Sequence, residues 1–206
     1  MNNYSLSNAP ERTSYKNENA KFATYQKPGI EDNVTVTKVS LGASSLNKVP
    51  YLELETTNSK GEIGKSTRMW LSTTKNKNFD GSEKKLTGWD ITARSIVDLI
   101  TATHNITREE AKAIELVSSE ETNKEKLHVS IQNKVSSLLI GKPFRAKFRG
   151  EQTMENGPIW TYLDLVESMS VPKENSILYF NPQRDIEMFN VIPATNSITD
   201  STPGFN

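Results

Sequence analysis

Aromatic and basic side chains alternate with apolar side chains in four short segments, and these residues could carry the chemistry of the protein. Residues 51–54 and 68–71 set Tyr51, Arg68 and Trp70 among leucines and a methionine. In residues 144–149 three cations alternate with apolar side chains, and in residues 159–165 two more aromatic residues do so. Planar rings stack on nucleobases, at about 1–3 kcal/mol for each base, and cations neutralise phosphates. The combination predicts a surface for single-stranded nucleic acid.

Twelve residues make up the predicted nucleic-acid-binding set. They are Tyr51, Lys65, Arg68, Trp70, Lys75, Lys77, Phe79, Arg145, Lys147, Arg149, Trp160 and Tyr162. Basic charge is concentrated around them, because residues 142–149 hold four basic residues and no acid, and residues 65–89 hold six basic and two acidic residues. The loop 74–89 bears several lysines, and it is either a flap over a bound strand or an ordinary solvated loop.

Two other interpretations of the same residues remain open. Trp70 and Trp160 would be core residues if the alternation on their strands were shifted by one position, because such a shift exchanges the two faces of a strand. Arginine and lysine alternating along a strand are also common on any solvent-facing surface. The binding interpretation is favoured because four segments independently place rings and cations on the same predicted face.

Alternation with a period of two predicts five strands. In the first, residues 33–42, the apolar phase shifts by one near Thr37–Lys38, which predicts a bulge. Runs 49–57 and 65–73 form a hairpin across the turn signal Asn58–Gly61. The last two strands are the segments 144–149 and 159–166, and a further short strand or hairpin is predicted within 176–191.

Helical periodicity interrupts the strands between residues 90 and 141. A first helix is predicted over 91–103. A capping box from Thr107 to Glu110 predicts the start of a second helix that reaches about residue 117. A third helix is predicted over 123–140, with Gly141 as its C-terminal cap. Its apolar stripe comprises Leu127, Ile131, Val135 and Leu138.

The order β-β-β-α-β-β predicts a mainly β fold with a helical insert, namely a five-stranded β-barrel of the OB type. The predicted OB-fold domain spans 28–170, with its insert at 90–141. Residues 171–192 are a C-terminal extension packed on the barrel. The ends, 1–27 and 193–206, are poor in core-forming residues and predict flexible tails.

Composition argues against most catalytic chemistry. The chain has no cysteine and only two histidines, His104 and His128, which are too isolated for a metal site or a catalytic triad. It also has no phosphate-binding glycine loop. We therefore predict no catalytic residue, no metal and no cofactor, and a protein that is not an enzyme.

Charge and hydropathy restrict partner and compartment. The 25 basic and 25 acidic residues cancel, so overall charge indicates no polyanionic partner and only local patterning can do so. The N-terminal residues lack a secretory signal, and no apolar stretch reaches the ~20 residues that span a bilayer. We expect a cytoplasmic protein without membrane contact, in the host cytoplasm if it is viral.

On these segments the chain resembles the OB-fold single-stranded-DNA-binding proteins of bacteriophages. The resemblance covers about residues 28–170, and it depends on the hairpin PYLELETTNSKGEIGKSTRMWLST and on GKPFRAKFRG leading into IWTYLDLV. It implies sequence-independent coating and protection of single-stranded DNA during replication, recombination or repair. Such proteins often recruit replication or recombination partners through an acidic tail with a terminal aromatic residue. Here the tail has Phe205 but a single acid, Asp200.

A second class of function fits the same residues. The outer aromatic residues would form a protein interface if the domain were a structural or interaction module, for example a virion component. The sequence also leaves open an RNA ligand and a homo-oligomeric state.

Overall fold

One sheet of seven strands organises the computed structural model, which describes residues 26–77, 80–117, 123–154, 159–165 and 178–192. The strands are β1 (Gly29–Ala43), β2 (Pro50–Thr57), β3 (Ile63–Lys65), β4 (Met69–Trp70), β5 (Pro143–Met154), β6 (Ile159–Leu163) and β7 (Ile186–Ile192). The helices are α1 (Gly88–His104), α2 (Arg108–Lys112), α3 (Lys124–Leu139) and α4 (Pro182–Asp185). The predicted mainly β architecture is confirmed.

The hydrogen-bonded path through the sheet runs β3-β2-β1-β5-β6 and is open, with β3 and β6 at its ends. β4 also pairs with β2, and β7 pairs with β5. Every pair is antiparallel except β5–β7, which is parallel. β5 carries β6 along one edge, while β1 and then β7 occupy the other edge.

The predicted bulge in β1 is confirmed. The pairing of β1 with β2 shifts register between Val36 and Lys38. One extra residue at this point reverses the phase of the pleat. Val34 and Val36 before the bulge and Val39 after it therefore all reach the core, where they are buried.

The predicted third strand is two short strands, β3 and β4, that both pair with β2. The break lies at Ser66, whose hydroxyl accepts a hydrogen bond from the Leu54 N–H at 2.9 Å while the Ser66 N–H donates to the Leu54 carbonyl. Beyond this residue the register moves by one, from the Glu55–Lys65 pair to the Leu52–Met69 pair. The hydrogen bond from the Leu54 N–H to the Ser66 hydroxyl thus lies where the pairing register changes, and alternation alone does not predict this change.

Capping boxes open the first two helices. α1 begins three residues before its predicted start, because the Thr87 hydroxyl accepts from the Asp90 N–H at 3.0 Å and the Asp90 carboxylate accepts from the Thr87 N–H at 2.6 Å. The predicted box at Thr107 opens α2, which ends earlier than predicted, at Lys112. Gly141 follows α3 with φ +76°, a left-handed conformation that suits a glycine after a helix end.

The core lies between the inner face of the sheet and the helices α1 and α3. The helix α3 contributes an apolar stripe of buried residues spaced four apart: Leu127, Ile131, Val135 and Leu139. The stripe thus ends at Leu139 rather than at the predicted Leu138, which is half-buried. The Gln132 amide donates to the Val39 carbonyl at 2.9 Å and ties α3 to β1. The His104 ring nitrogen Nε2 lies 2.7 Å from the Leu138 carbonyl and ties α1 to α3.

Parts of the predicted tails and extension lie outside the described residues, namely 1–25, 166–177 and 193–206. Gln26 is buried, and its N–H donates to the Ile63 carbonyl at 2.9 Å. The described fold therefore begins two residues before its predicted start at Pro28. None of the described helices is long and apolar enough to cross a bilayer.

The C-terminal segment, defined here as Leu178–Ile192, covers part of the outer face of β5. As a result Lys147 is fully buried, and the prediction that it lies on the outer surface is wrong. Its Nζ atom lies 2.9 Å from Asp185 Oδ1 and 3.8 Å from Asp164 Oδ2, and 5.9 Å from the centre of the Phe180 ring. Both carboxylates are buried as well, so the ammonium group has counter-charges where water is excluded.

Neutralising one partner of this buried ion pair should destabilise the fold strongly. We expect Asp185→Asn to lower the free energy of unfolding by about 3 kcal/mol, because Lys147 would lose its nearest counter-charge in a site without water. Asp32→Asn is the matched control, since Asp32 is exposed and its Oδ1 atom lies 3.3 Å from Nε of the half-buried Arg145. The control should cost less than about 1 kcal/mol. Urea unfolding followed by circular dichroism measures both, and equal losses in the two variants would contradict the assignment.

Candidate nucleic-acid interface

Three residues of the predicted set form a cluster on the outer face of the sheet, named here the Tyr51 cluster: Tyr51, Arg68 and Trp70. Tyr51 on β2 pairs across the strands with Trp70 on β4, and their rings meet edge to face with centres 5.3 Å apart and planes at 69°. The guanidinium carbon of Arg68 lies 4.8 Å from the centre of the Tyr51 ring. Both rings are half-buried and Arg68 is exposed, so two partly exposed rings and one cation lie side by side.

The pleat explains why this cluster faces outward. Leu52, Leu54 and Met69 alternate with the cluster residues and are buried on the inner face. The exposure predicted for Trp70 is therefore confirmed, and the alternative in which its strand is shifted by one residue is wrong.

Gly42 on β1 gives the Tyr51 ring its position. It pairs with Tyr51 across the strands, and a Cβ atom at Gly42 would lie only 2.7 Å from Tyr51 Cζ. The ring therefore lies over bare backbone, which a larger residue would prevent. The alternation pattern alone did not single out Gly42, although a glycine inside a predicted strand often marks such a close approach.

Acidic residues share the outer face with the cluster. Glu53 and Glu55 follow Tyr51 at alternate positions of β2 and are half-buried. Glu55 pairs with Lys38 on β1 and with Lys65 on β3, and both lysines are exposed. The predicted contact Lys65 thus lies beside a carboxylate, whereas Arg68 lies over the Tyr51 ring.

The lysine-bearing loop folds back on itself. The Lys84 N–H donates to the Asn76 carbonyl at 2.8 Å, and Lys77 forms an isolated antiparallel bridge with Glu83. The predicted contacts Lys75 and Lys77 are both exposed on this loop. The predicted contact Phe79 lies outside the described residues.

A second group of predicted residues lies on β6. Trp160 is 65% exposed, which confirms its predicted exposure, and it pairs with Glu151. Tyr162 pairs with Arg149 and is half-buried. Burial raises the pKa of Tyr162 to about 12, and the Arg149 charge offsets only part of that effect. The phenol is thus a partly desolvated neutral group.

The three cations of β5 do not form a free row for phosphates. Arg145 lies beside Asp32 and is half-buried, and Lys147 is buried as described above. Arg149 Nε lies 3.4 Å from Asp185 Oδ1, while its Nη2 atom lies 3.5 Å from Glu187 Oε1 and donates to the Arg184 carbonyl at 3.1 Å. Alternation along β5 is as predicted, but Asp32 on β1 lies beside Arg145, and the C-terminal segment supplies acids to Lys147 and Arg149.

The residues of the predicted single surface lie in two groups on different strands. Tyr51 and Trp70 belong to β2 and β4, whereas Trp160 and Tyr162 belong to β6, and β1 and β5 stand between β2 and β6. Along this path three strand spacings amount to roughly 14 Å, and on the opposite side an isolated bridge between Ser66 and Leu163 joins the two ends of the path. Among the described residues, the Tyr51 cluster combines two half-buried rings with an exposed cation that lies over one of them.

The histidines have structural surroundings. His104 bonds to the backbone of α3, and His128 is half-buried on α3, where burial and then the Lys124 charge lower its pKa. Within the described ranges, no group of three or more histidine, cysteine or acidic side chains is arranged to hold a metal ion.

The pKa of Tyr162 leads to a pH-dependent difference in stability. The phenol ionises near pH 10 in the unfolded chain and near pH 12 in the folded one, so the stability due to its neutral form is complete below pH 10 and is lost as the pH rises to 12. Tyr162→Phe should therefore lose less stability than the natural chain over this interval. Chemical unfolding at several alkaline pH values measures the difference. Parallel pH profiles for the two proteins would show that Tyr162 titrates normally.

No protein-family model matches the chain, and no curated protein matches it in sequence. The chemistry of the surface itself is therefore what indicates a ligand.

Proposed function

We propose that this protein binds single-stranded DNA through the Tyr51 cluster, largely independently of sequence, and that it is not an enzyme. The observation that carries this proposal is the outward-facing pair of Tyr51 and Trp70 with Arg68 over the Tyr51 ring. Every nucleobase offers a π-face, so such a surface accepts any base, and a guanidinium group beside it can contact the backbone phosphate.

The charge distribution favours modest affinity at each site. Overall charge is zero, and Glu53 and Glu55 lie near the cluster on the same face. Long-range attraction to a polyanion is therefore weak, and stacking supplies most of the binding free energy. Coating of single strands during replication, recombination or repair, as in the bacteriophage proteins that the sequence resembles, is the role we propose.

A five-stranded OB-type barrel is the fold that we propose underlies this surface, with β7 as an addition. Counting β3 and β4 as one strand, the path has the order 3-2-1-4-5, with the helices α1–α3 between the third and fourth strands. An isolated parallel bridge between Ser66 and Leu163 brings the two ends of the open path together, which favours closure. OB folds bind oligonucleotides on the face of strands 2 and 3, and Tyr51 and Trp70 belong to these strands.

Trp160 and Tyr162, named here the β6 group, favour a second candidate function, which is the binding of a protein. Trp160 is largely exposed but lies opposite Glu151, and Arg149 beside Tyr162 is held by Asp185 and Glu187. An exposed indole in acidic surroundings suits a protein partner better than a phosphate backbone. A replication or recombination protein, or a second copy of this chain, could occupy this group while the Tyr51 cluster holds DNA.

Titration of labelled oligo-dT with the full chain tests the proposed function. Tyr51→Ala should weaken binding by about tenfold or more, since one stacked base is worth about 1–3 kcal/mol. Trp160→Ala is the matched control, because it also removes an exposed aromatic ring but lies in the other group. Fluorescence anisotropy at low and moderate salt gives both affinities. Absence of oligo-dT binding at low salt, or equal losses in the two variants, would overturn the proposal, and oligo-rU in parallel measures the preference between DNA and RNA.

The salt dependence identifies the role of Arg68. Arg68→Gln should weaken oligo-dT binding and reduce the slope of log K against log salt by about 0.7, the value expected for one phosphate contact on a single strand. An unchanged slope would show that Arg68 contacts no phosphate.

A further inference from the structure

A pocket of about 360 Å³ opens beside Trp70. Trp70, Leu86 and Ile91 supply aromatic and aliphatic surface, while Asn47, Asn76 and Lys84 supply two amides and one cation. None of the described residues that line it is acidic. Ligand pockets typically have volumes of ~300–1,000 Å³, so this one is large enough for a single planar group with its substituents.

Two parts of the chain that are distant in sequence build this pocket. One is the loop between β1 and β2, and the other leads from Trp70 on β4 through the lysine-bearing loop into the first turn of α1. The Trp89 N–H donates to the Ser72 carbonyl at 2.8 Å, and the Thr92 hydroxyl donates to the Trp70 carbonyl at 2.9 Å. Gly88 permits the close approach, because a Cβ atom there would lie 2.8 Å from Trp70 Cβ. Trp70 is therefore held against α1, and the pocket has fixed walls on two sides.

The lining selects a chemical class of ligand. An indole and aliphatic side chains favour a flat, weakly polar ring, and Ile91 is 43% exposed, so such a ring would cover apolar surface that water now contacts. The Asn47 amide oxygen accepts from the Ser44 hydroxyl, which leaves its NH₂ group to donate, while the Asn76 amide can donate and accept, as the edge of a nucleobase requires. Lys84 is exposed at the pocket and can reach a phosphate attached to such a base.

We propose that this pocket takes one base of the bound strand, with Lys84 on a neighbouring phosphate. The inference rests on the proposed function and extends it, because Trp70 belongs both to the Tyr51 cluster and to the pocket lining. A strand that stacks on Tyr51 thus passes the pocket mouth. One base leaves the stack there, and the lysine-bearing loop becomes part of the binding site.

The test fills the pocket without altering the Tyr51 cluster. Ile91→Trp should weaken the binding of labelled oligo-dT by about five- to tenfold, because an added indole would occupy the space of one base. Val129→Trp is the matched control, since Val129 lies on α3, is 44% exposed and does not line the pocket. It should change the affinity by less than about twofold, as expected where no base is displaced. Lys84→Ala is a second variant, which alters an exposed loop side chain and leaves the core intact.

The outcomes separate this inference from the proposed function. If Ile91→Trp and Val129→Trp bind oligo-dT equally well while Tyr51→Ala binds it more weakly, the inference that the pocket takes a base is wrong. The proposed function then still holds. Failure of the natural chain to bind oligo-dT would overturn both.

Nuclear magnetic resonance with thymidine 5′-monophosphate identifies the ligand. The nucleotide should shift the backbone amides of Asn76, Lys84 and Leu86, whereas 2-deoxyribose 5-phosphate, which lacks the base, should not. Oligo-dT should displace the nucleotide. If oligo-dT fails to displace it, the pocket is a site for free nucleotides and the inference is wrong.

Discussion

Lys147 carries an ammonium group on β5 that is shielded from water, and a charge in such a place is stable only beside an opposite charge. Asp185 and Asp164 provide it, at 2.9 Å and 3.8 Å. Asp185 belongs to the C-terminal segment, so the charge requirement of one residue on β5 fastens that segment to the sheet. β1 pairs with β5 as far as Phe148, and beyond that residue β7 pairs with the same edge of β5.

This arrangement determines which cations remain for a ligand. Arg149 shares Asp185 with Lys147, and Arg145 lies beside Asp32. The row of basic residues on β5 is therefore part of the structure of the domain rather than of its surface chemistry. The cations left available lie elsewhere, with Arg68 over Tyr51 and Lys84 at the pocket beside Trp70.

Trp70 connects the two parts of the proposed binding surface. Its backbone is held by α1 through the Thr92 hydroxyl, its ring contacts Tyr51, and the same residue lines the pocket. A ring that is fixed by the fold loses little conformational entropy when a base stacks on it. This favours binding in a protein whose zero net charge contributes little long-range attraction.

The local pattern of the sequence determined much of the fold. The period of the pleat predicts the strands, the bulge near Thr37–Lys38 and the outward direction of Trp70 and Trp160. Side chains three residues apart predict the capping box at Thr107. These are interactions between sequence neighbours, so one sequence is enough to predict them.

Only the tertiary structure decided what covers each face. Alternation correctly put Lys147 opposite Phe144 and Phe148, but nothing near it in sequence shows that Asp185 returns to bury it. The pocket likewise joins Asn47, Lys84 and Ile91, which no short-range pattern connects. Burial and ion pairing depend on which distant segments meet, and that depends on how all the strands and helices pack together.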